Sequence, residues 1–194
     1  NSIKYEGTSQ GLNDYWEKIK LPPINFYIDH AMIGYRTSLH YLKDKFTSFY
    51  GSVSQGYKSG GVNQQPYLSD TSRRFDPEFI QNFEVGLNRV TNFYRTQLSA
   101  FYSLRKDQQV SLSSQQVEGD PNSFLFYTTN AGSGTIQGFE WENTLNVSSN
   151  LNMDASLGYL TTWVEKFTYF AAEGVEAIGG NREAAMSPEI TGSV

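Results

Sequence analysis

The strongest constraint in this chain is a period-two alternation sustained over stretches longer than an ordinary strand. From Tyr94 to Arg105 one phase carries Tyr94, Thr96, Leu98, Ala100, Tyr102 and Leu104, and the other carries Arg95, Gln97, Ser99, Phe101, Ser103 and Arg105. The same alternation recurs over Asn82–Asn88, with Phe83, Val85 and Leu87 on one phase. It recurs again over Gly138–Val147, with Phe139, Trp141, Leu145 and Val147, and over Leu151–Trp163, with Leu151, Met153, Ala155, Leu157, Tyr159 and Trp163. Successive side chains on a strand point to opposite faces, so each stretch reads as a strand with one apolar face.

Charge falls on one phase only. Across these four stretches the apolar phase carries no charged residue, while the opposite phase carries Glu84, Arg95, Arg105, Glu140, Glu142 and Asp154. Random placement would put all six on one side roughly once in 60 trials. A β-sandwich with polar residues outward shares this pattern. Strand length separates the two architectures. Tyr94–Asp107 and Leu151–Val164 each allow about 14 residues, against about 5–6 in a typical soluble strand. A strand crossing lipid needs about 9–11 and can run on beyond it.

Two further strands are predicted over Ile33–Leu42 and Thr47–Lys58, with stubs at Ile3–Tyr5 and within Pro188–Val194. Short turns are expected near Lys43-Asp44-Lys45, over Asn88–Asn92 and at Ser148-Ser149-Asn150, where Asn, Asp and Ser favour tight reversal. Long polar connections are expected over Gly7–Ala31, Ser59–Asp76, Gln108–Ser123 and Lys166–Ser187, with a helical turn at Asp14–Lys20. Short turns at one end and long loops at the other describe an all-β, antiparallel up-and-down meander. Transmembrane β-barrels have this asymmetry, and half of their strand residues face water, so they lack long apolar runs.

Composition narrows the classes of function. The net charge of −5 lacks the basic footprint of a nucleic-acid binder. The chain contains no cysteine, which removes disulfide scaffolds, thiolate zinc sites and cysteine nucleophiles. Its charged fraction of 18% and aromatic fraction of 15% argue against charge-driven disorder.

Individual constellations mostly reduce to structural roles. Glu140 and Glu142 share one strand face and could in principle do acid–base chemistry, but on a polar wall they read as solvated or paired carboxylates. His30 and His40 are ten apart with no carboxylate at ligand spacing, so no metal site is predicted. Ser38 and His40 share a face, but it is the polar one, away from where a barrel esterase would meet lipid. Gly56 to Asn63 is rich in glycine, yet it lacks the order of a phosphate loop and the helix that must follow one. Gly132-Ser133-Gly134 misses dinucleotide spacing, and Asn146-Val147-Ser148 is a chance glycosylation triplet at a tight turn. Trp16, Tyr67, Phe124, Phe126, Tyr127, Phe167, Tyr169 and Phe170 lie in or beside the long loops, where they can stack on a ligand, pack the loops or form an interfacial girdle.

An ordered set of segments resembles the TonB-dependent outer-membrane receptors. Tyr50 to Gln55 leading into Gly56-Tyr57-Lys58-Ser59-Gly60-Gly61-Val62-Asn63 resembles a late barrel strand entering an external loop. Pro77-Glu78 followed by Asn82 to Leu87 resembles the next downward strand, and Leu98 to Tyr102 with Asp107-Gln108-Gln109 the next upward one. Asn130-Ala131-Gly132 with Gly138-Phe139-Glu140-Trp141-Glu142, then Leu157-Gly158-Tyr159-Leu160, resemble the pair that follows.

The resemblance implies that residues 1–194 are part of one β-barrel domain, about seven or eight strands of a larger barrel. The plug domain, the energy-coupling box and the final strands of that family have no counterpart in these residues. The implied role is TonB-energised uptake, across the bacterial outer membrane, of a scarce nutrient complex of the ferric siderophore class, with no enzymatic step and no cofactor. Outer-membrane lipid, TonB (through the plug) and a small-molecule metal chelate are the implied partners. Glu84, Arg95, Arg105, Glu140, Glu142 and Asp154 would face the lumen. Tyr57, Lys58, Tyr67, Tyr127 and Tyr169 would contact ligand from the external loops. The competing expectation is a soluble β-sandwich that binds carbohydrate through Tyr and Trp.

Overall fold

The computed structural model describes residues 2–7, 10–12, 18–20, 24–64, 68, 73–115, 119–172 and 175–194. The regular elements described below are strands. β1 (Ser2–Gly7) pairs with β4 (Ile24–Asp29), and between them β2 (Gln10–Leu12) pairs with β3 (Lys18–Lys20). β5 (Tyr35–Leu42) and β6 (Thr47–Lys58) begin the main sheet, and the short ribbon β7 (Gly61–Val62)–β8 (Arg74–Phe75) follows. β9 (Glu78–Val90) and β10 (Tyr94–Lys106) return to the sheet, then β11 (Gln109–Gln115) and β12 (Phe124–Asn130) form a second ribbon. β13 (Gly134–Ser148) and β14 (Leu151–Val164) come next, followed by a third ribbon, β15 (Phe167–Ala172)–β16 (Val175–Gly179), and by β17 (Ile190–Ser193).

The main sheet has seven strands in the order β5-β6-β9-β10-β13-β14-β17, antiparallel throughout. This is the expected meander. The expected long strands are present: β9, β10, β13 and β14 run 13, 13, 15 and 14 residues. Tight turns join β5 to β6, β9 to β10 and β13 to β14, and the three ribbons all sit at the opposite end. Each of the first two turns has a local hydrogen-bond device. Asp44 Oδ1 accepts from Phe46 N at 2.7 Å and Thr47 N at 2.9 Å. Thr91 Oγ1 accepts from Tyr94 N at 3.1 Å. Neighbouring turns are tied together by Val90 N donating to Phe46 O and Asn146 N to Phe93 O, both at 2.8 Å.

Two expectations are corrected. The connections read as long polar loops carry ordered two-stranded ribbons, β7–β8, β11–β12 and β15–β16. A short ribbon beyond the sheet has no lipid or core face to cover, so it needs no long alternation and leaves little periodic signal. The helical turn expected at Asp14–Lys20 is not found over Lys18–Lys20, which is strand β3; residues 14–17 lie outside the described residues.

Register aligns the alternating phases across the whole sheet. Leu98 stands opposite Leu87 and Trp141, and Trp141 opposite Leu157, so the apolar phases share one face. Ser99 stands opposite Gly86 and Glu140 on the other face. Two glycines on that polar face receive a cross-strand aromatic ring: Tyr50 lies over Gly86 and Phe101 over Gly138, where a Cβ would collide with the ring.

Burial is inverted relative to a water-soluble domain. Ile28, Tyr127 and Ala131 are buried apolar residues, and none lies on the main sheet. Thr47, Ser52, Glu78, Ser103 and Thr162 are buried there instead. On the apolar face Val85 is 60% exposed, Leu98 43% and Leu157 42%. A β-sandwich would bury this face against a second sheet. No second layer among the described residues covers it, so the sandwich expectation fails and the sheet is a single wall of the kind lipid solvates.

Candidate functional site

The polar face of the sheet is the chemically rich surface. A hollow of about 430 Å³ opens on it across β5, β6, β9, β10 and β13, with Arg36, His40, Tyr50, Glu84, Glu140 and Glu142 in its lining. Alternation on the strands and register between them bring these residues together. His40 stands opposite Tyr50, Tyr50 opposite Gly86, Gly86 opposite Ser99 and Ser99 opposite Glu140 in one row. The Tyr50 hydroxyl donates to Glu84 Oε1 at 2.7 Å, and the His40 and Tyr50 rings stack with centroids 6.0 Å apart. Three carboxylates and one guanidinium make the hollow acidic, a surface suited to attracting cationic groups.

The six charged residues assigned to the polar phase all lie on this face by register. Glu84, Glu140 and Glu142 line the hollow. Arg95 and Asp154 lie nearer the turn end, each opposite Thr144, whose hydroxyl donates to Asp154 Oδ1 at 2.7 Å. Arg105 lies at the ribbon end and forms an ion pair with Glu78, which is 7% exposed. Arg105 Nε donates to Glu78 Oε1 at 2.8 Å, and Glu78 Oε2 accepts from Gln109 N at 3.0 Å. This pair stands at the foot of the ribbons, so Arg105 is a structural anchor and not an open charge.

The residues expected in the external loops divide. Lys58 stands opposite Glu78 on the polar face, while its neighbour Tyr57 stands opposite Phe79 on the apolar one. Tyr127 is 6% exposed in β12, so its ring is not offered to solvent. Tyr169 lies on β15 with its ring 5.9 Å from that of Phe167. Tyr67 lies outside the described residues.

Sequence reasoning did not single out Arg36, His40 and Tyr50 as members of the hollow, nor Glu78 as a charge on the polar phase. Glu78 carried a usable signal: it is six residues from Glu84, an even spacing that keeps both on one strand face. Among the described residues no group of three or more His, Cys, Asp or Glu is placed to hold a metal ion. His30 and His40 are well separated in role: His30 Nε2 lies 3.8 Å from Asp76 Oδ1, whereas His40 lines the hollow.

Comparison with known proteins matches this architecture. The sequence model of the family described as TonB dependent receptor-like, beta-barrel matches residues 2–194. The ferric yersiniabactin uptake receptor FyuA from Yersinia pestis is similar in fold, with a TM-score of 0.66 at 19% identity over 98% of this chain and 25% of that one. The copper transporter OprC is also similar, with a TM-score of 0.58 at 15% identity over 83% of this chain and 25% of that one. The chain thus spans about a quarter of the length of these solved relatives. No curated protein sequence matches the chain.

Proposed function

We propose a transport role from one premise: the chain belongs to the TonB-dependent receptor β-barrel family, whose barrels stand in the bacterial outer membrane. The family match over residues 2–194 is the observation that carries the reading. The wall formed by the seven-stranded sheet faces lipid with its Leu, Phe, Tyr and Trp phase and lines the lumen with the phase that holds Glu84, Arg95, Arg105, Glu140, Glu142 and Asp154. The rest of the barrel and a plug that contacts TonB belong to parts of the intact protein outside these residues, in keeping with the quarter of each solved relative that the chain spans.

The cargo is a small-molecule metal chelate of the ferric siderophore class. The likeness to FyuA, a ferric yersiniabactin uptake receptor, supports this reading. The ribbons at the open end supply the capture surface, with Lys58 and Tyr169 as contacts. The receptor's work is binding and passage, and no covalent step is needed.

Uptake of radiolabelled ferric chelates by cells expressing the intact receptor, under iron restriction and with and without TonB, tests the proposal. TonB-dependent accumulation of iron is the expected result. The likeness to OprC, a copper transporter, makes copper the control cargo. Copper uptake without iron uptake would overturn the siderophore assignment, and accumulation unaffected by loss of TonB would overturn energised transport.

A further inference from the structure

Two asparagines at the ribbon end each hold both main-chain groups of one residue on the other ribbon. Asn63, which follows β7, donates through Nδ2 to Thr128 O at 2.7 Å and accepts through Oδ1 from Thr128 N at 2.8 Å. Asn130, at the end of β12, accepts through Oδ1 from Asp76 N at 2.6 Å and donates through Nδ2 to Asp76 O at 2.9 Å. The partners are 65 and 54 residues apart in sequence. A carboxamide has one acceptor oxygen and two N–H donors, so it can replace a peptide group in a two-bond pairing. The grip is therefore reciprocal: the first ribbon holds the second through Asn63, and the second holds the foot of the first through Asn130.

The clasp is joined to the barrel wall. Asn130 Nδ2 also donates to Asp107 O at 2.7 Å. Gln109 Nε2 donates to Ser59 O at 2.9 Å and to Asp76 O at 3.0 Å, while Gln109 N donates to Glu78. Asn63 and Glu78 are each 7% exposed, so water competes weakly for the bonds these two make, whereas the Asn130–Asp76 pair is exposed.

The geometry points to β7–β8 and β11–β12 acting as one rigid jaw, in which Asn63 and Asn130 are positioning residues that set the affinity for cargo without touching it. This role rests on the uptake function proposed above. Two ribbons fixed to each other present their contacts already arranged, so less ordering is required when ligand binds.

Hydrogen exchange of the intact receptor in lipid tests the clasp without any ligand. In the unaltered protein the Thr128 and Asp76 amides should both be protected, because their acceptors are the two asparagine side chains. Rapid exchange at either would overturn the clasp. In Asn63→Ala the Thr128 amide should exchange about tenfold faster, and in Asn130→Ala the Asp76 amide should do so. Effects confined to the substituted ribbon would show that the ribbons move independently. The cargo arm uses ferric yersiniabactin as the probe. Asn63→Ala should raise the half-saturating concentration about tenfold and leave maximal uptake unchanged. An unchanged half-saturation, alongside altered exchange, would overturn the positioning role. Absence of uptake by the unaltered receptor would instead remove the cargo assignment and leave the exchange result to decide the clasp.

Discussion

The ring of Tyr50 lies across Gly86 on the neighbouring strand, and its hydroxyl reaches Glu84 Oε1 at 2.7 Å. A methyl group at Gly86 would overlap the ring, so Gly86→Ala must push Tyr50 aside and break its bond to Glu84. We expect a loss of about 0.5–1.5 kcal/mol, the usual net worth of one hydrogen bond. Gly51→Ala is the control. A Cβ there meets its nearest atoms at 3.9 Å, an ordinary contact, and the change should stay within about 0.5 kcal/mol. Urea titration of both variants of the intact receptor folded in lipid vesicles checks the contrast.

The two faces of β10 should respond oppositely to a cation. Leu98→Arg, or Leu157→Arg on β14, places a guanidinium on the lipid side and should cost about 2–4 kcal/mol near the membrane midplane. Ser99→Arg places the same group on the polar face between Gly86 and Glu140 and should cost little. Equal tolerance of Arg at positions 98 and 99, measured by folding yield into vesicles, would contradict the assignment of the apolar face to lipid.

Asp44 gives the β5–β6 turn a pH response. The Phe46 N–H, foremost among the groups that favour the carboxylate, holds its pKa below the ordinary carboxyl value. A lowered folded-state pKa contributes stability that is present above the unfolded value and is lost as pH falls through the folded one. The window therefore lies below about pH 4, the ordinary carboxyl range. Protection of the Phe46 and Thr47 amides, taken relative to their intrinsic exchange rates at each pH, should fall in that window. Asp44→Ala should show the low protection already at neutral pH, and protection that does not change with pH in the unaltered turn would refute the capping role.

A chain of these 194 residues alone in water exposes its apolar face together with the two edge strands β5 and β17 of the main sheet. Exposed apolar area far above a few hundred Å² and unpaired edge groups both favour association. Without detergent the chain should elute from size exclusion as an aggregate, and detergent should disperse it. A sharp monomer peak with cooperative melting in water would show that the face is covered by something other than lipid.

The contrast between Leu98 and Ser99 is legible in residue spacing alone. Strand alternation is a local property of the backbone, so sequence by itself determined which residues share a face, which stretches are long strands and where the tight turns fall. Spacing puts Glu84, Arg95, Arg105, Glu140, Glu142 and Asp154 on one phase, and the register sets them on one face of a single sheet. Only the tertiary structure decided who meets whom across strands. That Tyr50 covers Gly86, that Arg105 is held by Glu78, and that Asn63 grips Thr128 65 residues away depend on register and ribbon placement. The ordered ribbons were likewise hidden, because a two-stranded ribbon outside the membrane wall is free of the one-sided solvation that writes alternation into a sequence. Phase is a consequence of the pleat and can be counted along the chain; partnership between distant residues is a consequence of packing and exists only once the sheet has formed.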